Sequence, residues 1–403
     1  MSRQTRVLTS LGLAVLGVVG ASLACDSPPD GGGGSDAGNA PLVDGGELPN
    51  GADSGTPRPL VLGDLLAPVT AEELQFLEQE WASRDISARD VTQLASGTVT
   101  FGTVPMTYRV IDHVVGGAHH VGVVLVPVSL TSPAPVLVYT HGGYTGDGGL
   151  PPFTVEELAF RIPGQPLRER LIYVIPSYRG ERIRIANTTY SSGGDTLFGT
   201  TDLTDTAALL SAVVATTPLA DVNRVAVFGE SRGGMVALSL GAVDKRFDLV
   251  IDAFGPTDFR VALAGLPPGL FEASVTGAVA SPQDPATLLL RSLIPIDQVT
   301  VNPDAGLAIT EAGYVEMRRR MAATSALASP SRLPATQVHH GTADPTASVQ
   351  YSRALAAAMA DAGRASPSRL FTYFEYDGGS HSLDTLPGAV SRMAEALNRE
   401  LAP

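Results

Sequence analysis

The stretch Arg224-Val225-Ala226-Val227-Phe228-Gly229-Glu230-Ser231-Arg232-Gly233-Gly234-Met235-Val236-Ala237-Leu238 decides how this chain is read. Residues 225–228 are a short apolar, β-branched run, as a strand buried on both faces should be. Gly229 and Gly233 bracket Ser231 as G-x-S-x-G, and 235–240 reads as an apolar helix. Strand, sharp turn and helix in succession strain the serine backbone, so the residues two places either side must lack bulk. The turn lifts the hydroxyl clear of the chain at the carboxyl end of a strand. The N–H groups that open the helix face the same point and favour a negatively charged oxygen there. Taken alone, the same residues could be a Gly-rich connection carrying an idle serine.

Further apolar runs lie at 97–101, 106–115, 121–128, 136–140, 171–175, 249–251, 335–339 and 370–374. Helical patterns separate the later ones, at 202–214, 347–362 and 387–401. This alternation predicts an α/β chain with a mostly parallel sheet and helices on both faces. The first runs have no helix between them and are expected to be antiparallel. Residues 256–332 interrupt the rhythm with Pro, Gly and short helical patches such as 316–323. They read as a cap over the strand ends, walled by Leu263, Leu266, Leu270, Phe271, Leu288, Leu289 and Leu290.

A serine needs a base to attack at neutral pH, and the base needs an acid to fix its tautomer and stabilise its charge. Among seven histidines, His381 lies in Asp377-Gly378-Gly379-Ser380-His381-Ser382, just after the last strand. Asp344 lies in His340-Gly341-Thr342-Ala343-Asp344-Pro345, just after the strand before it. Ser231, Asp344 and His381 thus follow the chain order of a Ser-Asp-His triad on such a sheet, each at a strand's carboxyl end. The expected oxyanion donors are the N–H of Gly143 or Tyr144, in His141-Gly142-Gly143-Tyr144, and the N–H of Arg232. His141 and His340 are expected to be structural. His119 and His120 are adjacent on a strand and point to opposite faces, which argues against a metal pair. No metal and no cofactor is expected.

His141-Gly142-Gly143, Tyr178-Arg179-Gly180, the G-x-S-x-G-G around Ser231, His340-Gly341-x-x-Asp344 and Gly378-Gly379-x-His381 resemble one family over about residues 95–398. That family is the prolyl-oligopeptidase family of α/β-hydrolases, in its catalytic domain. Dienelactone-hydrolase-like proteins and acetyl esterases share most of these signatures. The resemblance implies the α/β-hydrolase fold, a mostly parallel eight-stranded sheet flanked by helices, with a helical cap insertion at about 256–332. It implies Ser231 as nucleophile, Asp344 as acid and His381 as base, cleaving a peptide or carboxylic ester through an acyl-enzyme. Glu230 before the serine is also seen in carboxylesterases, so a cell-envelope carboxylesterase is the alternative. A non-enzymatic envelope binding protein on the same scaffold is a third reading. The segment ahead of this domain is too short for the β-propeller that prolyl oligopeptidases carry there.

The net charge of −14 over 403 residues argues against a nucleic-acid partner. Only 17% of residues are charged, so the acidic excess reads as solubility. Residues 1–25 read as a lipoprotein signal peptide, with Arg3 and Arg6 ahead of an apolar run that closes at Cys25. Cys25 is the only cysteine, so no disulfide can form within the chain and the residue is expected to be lipidated. Residues 26–58 are rich in Gly, Pro and Asp and read as a disordered tether. Residues 59–95 are expected to be an N-terminal helical segment, opened by the capping box Thr70-Ala71-Glu72-Glu73. Residues 96–403 would then be the catalytic domain. The expected partners are a small ester or peptide substrate and, through the lipid anchor, a membrane. The expected location is the cell envelope, periplasmic or at the cell surface.

Overall fold

Nine strands form the central sheet of the computed structural model, which describes residues 57–146, 149–162, 164–195, 199–260, 292–295, 298–302 and 306–402. In chain order they are β1 (Arg89–Phe101), β2 (Val104–Val115), β3 (Ala118–Pro127), β4 (Ala134–Thr140), β5 (Ile172–Pro176), β6 (Ala220–Glu230), β7 (Leu249–Ala253), β8 (Ala335–Gly341) and β9 (Phe371–Tyr376). Across the sheet they run β9-β8-β7-β6-β4-β5-β3-β2-β1. Neighbours from β9 to β5 are parallel, and β3, β2 and β1 follow antiparallel. Short turns at Gly102-Thr103 and Gly116-Gly117 reverse the chain there, so no crossover helix is needed. The sheet thus has one strand more than the expected eight. The edge strand β1 also starts at Arg89 rather than near 97, and pairs with β2 through irregularities between Arg89 and Thr92 and between Gln93 and Ala95.

The helices that matter here are α1 (Ala71–Ser83), α2 (Thr201–Thr216), α3 (Arg232–Val243), α4 (Glu311–Ala323), α5 (Gln350–Asp361) and α6 (Ala389–Glu400). Strand β6 is buried from Val225 to its end and serves both faces. Val225 and Val227 pack with Leu209 and Leu210 of α2, Val236 and Leu240 of α3, and Leu355 of α5. Ala226 and Phe228 belong to the opposite core, with Leu158, and with Met393 and Leu397 of α6. Burial on both faces is why this run reads as continuously apolar rather than alternating.

Helix α1 opens with a complete capping box. The Glu73 N–H donates to Thr70 Oγ1 at 3.2 Å, and the Thr70 N–H donates to Glu73 Oε2 at 2.8 Å. Helix α1 packs on α4, whose Arg318 donates to the carbonyls of Leu65, Ala67 and Pro68 and pairs with Glu73. Arg58–Pro59 pairs with Gly306–Ile309, which in turn pairs with Val299–Asn302. The segment ahead of the sheet and the later part of the 256–332 insertion therefore form one layer. That insertion is not purely helical: Val299, Thr300 and Val301 are β-branched and fit a strand. Leu263, Leu266, Leu270, Phe271, Leu288, Leu289 and Leu290, expected to wall the cap, lie outside the described residues. So do the expected signal, Cys25 and nearly all of the tether. Among the described residues no helix is long and apolar enough to cross a membrane.

His113 of β2 and His120 of β3 face each other across the ladder, buried, with His120 Nδ1 2.9 Å from His113 Nε2. His119 points the other way, into solvent beside Asp112. His141 and His339 are also buried. Burial pushes His113 and His141 down to about 4, His339 to about 3 and His120 well below its ordinary range. All four imidazoles are thus neutral in the fold, while the unfolded chain takes up protons below about pH 6.5. A depressed folded-state value on a base means the unfolded form binds more protons in this window, so stability falls as the pH falls. The melting temperature should therefore drop steadily between about pH 7 and pH 4, each histidine costing on the order of 1–2 kcal/mol by about pH 5. The buried Asp252 carboxyl, raised to about 7, opposes this trend. Calorimetry across that range therefore compares the wild type with His113→Gln and His339→Gln; variants whose melting falls with pH as steeply as the wild type's would contradict the burial of these rings.

Candidate active site

Ser231 caps α3 with φ 56° and ψ −124°, a conformation that few side-chain-bearing residues adopt. Its N–H donates to Ala253 O at 2.9 Å, and its carbonyl accepts from the N–H groups of Gly234 and Met235. The turn fits because Gly233 has no side chain: a Cβ there would stand 1.9 Å from Thr140 O at the end of β4. Thr140 Oγ1 also donates to Gly233 O at 2.8 Å.

Asp344 and His381 lie on the loops after β8 and β9. Those loops are held together by Thr342 N–H donating to Tyr376 O at 2.8 Å and Ala343 N–H donating to Gly379 O at 2.9 Å. His381 Nδ1 lies 2.7 Å from Asp344 Oδ2. Asp344 Oδ1 accepts from the N–H groups of Thr346 and Ala347 at 2.8 and 2.9 Å. Burial raises the Asp344 carboxyl, but contacts from His340 and His381 and the Ala347 N–H outweigh it and hold it well below the carboxylate range. His340 lies with Nε2 2.9 Å from Ala347 O, the backbone contact expected of it, and with Nδ1 2.7 Å from Ser352 Oγ. Its Nε2 also lies 3.4 Å from Asp344 Oδ2, a contact that the sequence does not announce.

Phe254 joins the two halves of the site. It follows Ala253, the acceptor of the Ser231 N–H, and its ring lies against that of His381 at 4.5 Å between centroids. Phe254 has φ 46°, so the strained Ser231 and a second strained residue follow adjacent strands. No local signal marks an aromatic in that conformation.

The loop after β4 supplies the third component. His141 donates from Nδ1 to Gly142 O at 3.0 Å and stacks on Phe153. A Cβ on Gly142 would stand 3.0 Å from Ser231 Cβ, which measures how near this loop comes to the serine. Gly143 has φ 72°, a left-handed conformation that suits glycine. Its carbonyl accepts from the Arg232 guanidinium at 3.1 Å. Tyr144 is buried and its carbonyl accepts from the Leu150 N–H. Arg232, expected to act through its backbone N–H, also reaches Asp202 and Glu181 with its side chain. Beside the serine, Glu230 is buried and paired with Arg161 at 2.8 Å.

Residues 164–288 match the model of the prolyl oligopeptidase family, a span that includes Ser231 and ends before Asp344 and His381. Acetyl xylan esterase 1 from Thermoanaerobacterium sp. superposes with a TM-score of 0.52 at 14% identity, covering 86% of this chain and 100% of that one. The chain has the α/β-hydrolase fold. Two further solved structures resemble this chain. A Mycobacterium tuberculosis puromycin-hydrolyzing peptidase has a TM-score of 0.48 at 16% identity, covering 77% of this chain and 46% of that one. An acetyl xylan esterase from Paenibacillus sp. has 0.49 at 17% identity, covering 85% and 100%. The chain spans less than half the length of the first three peptidases it matches. No curated protein matches it.

The elbow generates a direct test. Gly233→Ala should destabilise the fold by about 3 kcal/mol or more, because its new methyl meets a strand carbonyl that cannot retreat. Thermal melting of the purified variant checks it, and an unchanged melting temperature would contradict this packing.

Proposed function

We propose that this α/β-hydrolase is a serine hydrolase that cleaves a peptide or carboxylic ester bond through an acyl-enzyme. The observation that carries the reading is the half-buried contact between Asp344 and His381, 2.7 Å, on loops that follow strands parallel to the one ending at an elbow serine. In this reading His381 takes the Ser231 proton as the hydroxyl attacks the substrate carbonyl. Asp344 keeps the Nδ1–H tautomer and stabilises the imidazolium that forms. The N–H of Arg232 and that of Gly143 or Tyr144 receive the oxyanion, and such a donor is worth about 3–4 kcal/mol of barrier. His381 then protonates the leaving group, and water releases the acyl group by the same route reversed.

The family match at 164–288 supports peptide cleavage, and Glu230 ahead of the serine supports ester cleavage. A panel of short acyl esters against proline-containing peptides separates the two. For either substrate, Ser231→Ala should lower kcat by about four orders of magnitude with melting unchanged, and Asp344→Asn by a similar factor. A fluorophosphonate should label the wild type at Ser231. A Ser231→Ala variant that keeps about a tenth of the activity would overturn the assignment.

We place the enzyme in the cell envelope, lipidated at Cys25, because a positive start, an apolar run and the sole cysteine follow one another there. Cys25→Ala should shift the protein from the membrane pellet to the soluble fraction or block its processing. An unchanged membrane fraction would overturn the anchor.

A further inference from the structure

We infer that the Arg232 side chain is a positioning residue that holds both halves of the oxyanion hole in register, an inference that rests on the serine-hydrolase reading above. One expected donor is the N–H of Arg232 itself, where α3 begins. Another is the Tyr144 N–H, which shares a planar trans peptide with the Gly143 carbonyl. Carbonyl and N–H of one such peptide point in opposite directions, so gripping the oxygen fixes the bearing of the N–H. Arg232 Nη1 grips that oxygen at 3.1 Å.

The same guanidinium is held on every side. Nε and Nη2 donate to Asp202, in the first turn of α2, at 2.8–3.0 Å. Nη1 donates to Glu181, and Glu181 Oε2 accepts from the Thr145 N–H at 2.8 Å and Thr145 Oγ1 at 3.1 Å. The Tyr178 ring lies 4.5 Å from the guanidinium carbon, and its hydroxyl donates to His141 O at 3.3 Å. Residues 141, 143 and 145 of one loop therefore all connect to a single cation that directly follows the nucleophile.

Stability alone is a poor reason for such a cluster. One cation and two carboxylates are buried together, and buried ion groups often gain nothing over apolar residues of equal volume. The surplus negative charge is met by the Gly199 N–H, which donates to Asp202 at 3.1 Å, by the Thr145 N–H and by the amino end of α2. What the arrangement supplies is direction. A planar guanidinium donates along several fixed lines at once, which an ammonium cannot do.

The test compares p-nitrophenyl acetate with the thionoester that carries sulfur in place of the carbonyl oxygen. Sulfur is a weak acceptor, so the ratio of the two rates reports the oxyanion donors rather than the triad. In the full chain, Arg232→Lys should lower kcat for the oxygen ester about tenfold or more with KM within about threefold. The oxygen-to-sulfur rate ratio should fall about fivefold or more. Glu181→Gln keeps the shape, loosens the grip on Thr145 and Arg232, and should lower the same ratio by less; it carries the test if Arg232→Lys does not fold. A folded variant whose ratio equals that of the wild type overturns the inference, even if its melting temperature drops, because the cluster is then only structural. If the wild type is labelled at Ser231 and hydrolyses the ester while the ratio stays put, the Arg232 role alone fails. If the wild type is neither labelled nor active, the serine-hydrolase reading fails and this inference falls with it.

Discussion

The site depends on how closely the first turn of α3 approaches the end of β4. A single side-chain carbon at Gly233 would sit 1.9 Å from the Thr140 carbonyl. That closeness admits only glycine at 233, and Ser231 makes the turn into α3 with φ 56°. Strain of this kind costs on the order of 1–3 kcal/mol and persists only where the surroundings over-determine it. Here the Ser231 N–H and carbonyl are both hydrogen bonded, and α3 behind them is buried along nearly all of its length. The same closeness brings Gly142 against the serine, so one steric fact sets both the elbow and the neighbouring loop.

Parallel strands make the rest of the site follow. Because β6, β7, β8 and β9 run the same way in register, their carboxyl ends line up at one edge of the sheet. Ser231, Phe254, Asp344 and His381 each follow one of those ends. Two positive-φ residues, Ser231 and Phe254, follow neighbouring strands, and the His381 ring lies against Phe254 with its Nδ1 on Asp344. The buried charges gather at the same edge. Asp344 is stabilised by N–H groups and imidazoles, Glu230 by Arg161, and Asp202 with Glu181 by Arg232.

The N-terminal segment shows how tertiary contacts redraw boundaries that looked natural along the chain. Arg58–Pro59 and α1 dock onto the later part of the 256–332 insertion through a strand pairing and the Arg318 bonds. The two stretches are far apart in sequence, and neither has a local pattern that names the other.

The sequence by itself determined what depends on neighbours within a few residues. The elbow glycines, the apolar strand before them, the capping box at Thr70 and the strand–helix rhythm are all local constraints, legible without a partner. The chain order of Ser231, Asp344 and His381 was legible for a related reason: each residue directly follows a strand. The edge strand was less so, because residues 89–94 are all exposed and no buried face imposes an alternation on them. Only the tertiary structure decided the pairing of His381 with Asp344, the strained turn at Phe254 and the partners of Arg232. Those partners lie 30, 51 and 89 residues away in the chain, at Asp202, Glu181 and Gly143. An arginine after a serine reads as a solvated charge until the fold removes the water and sets two carboxylates, a carbonyl and the Tyr178 ring around it. Burial turns that charge into a directed contact, and burial is a property of the packed sheet rather than of any stretch of sequence.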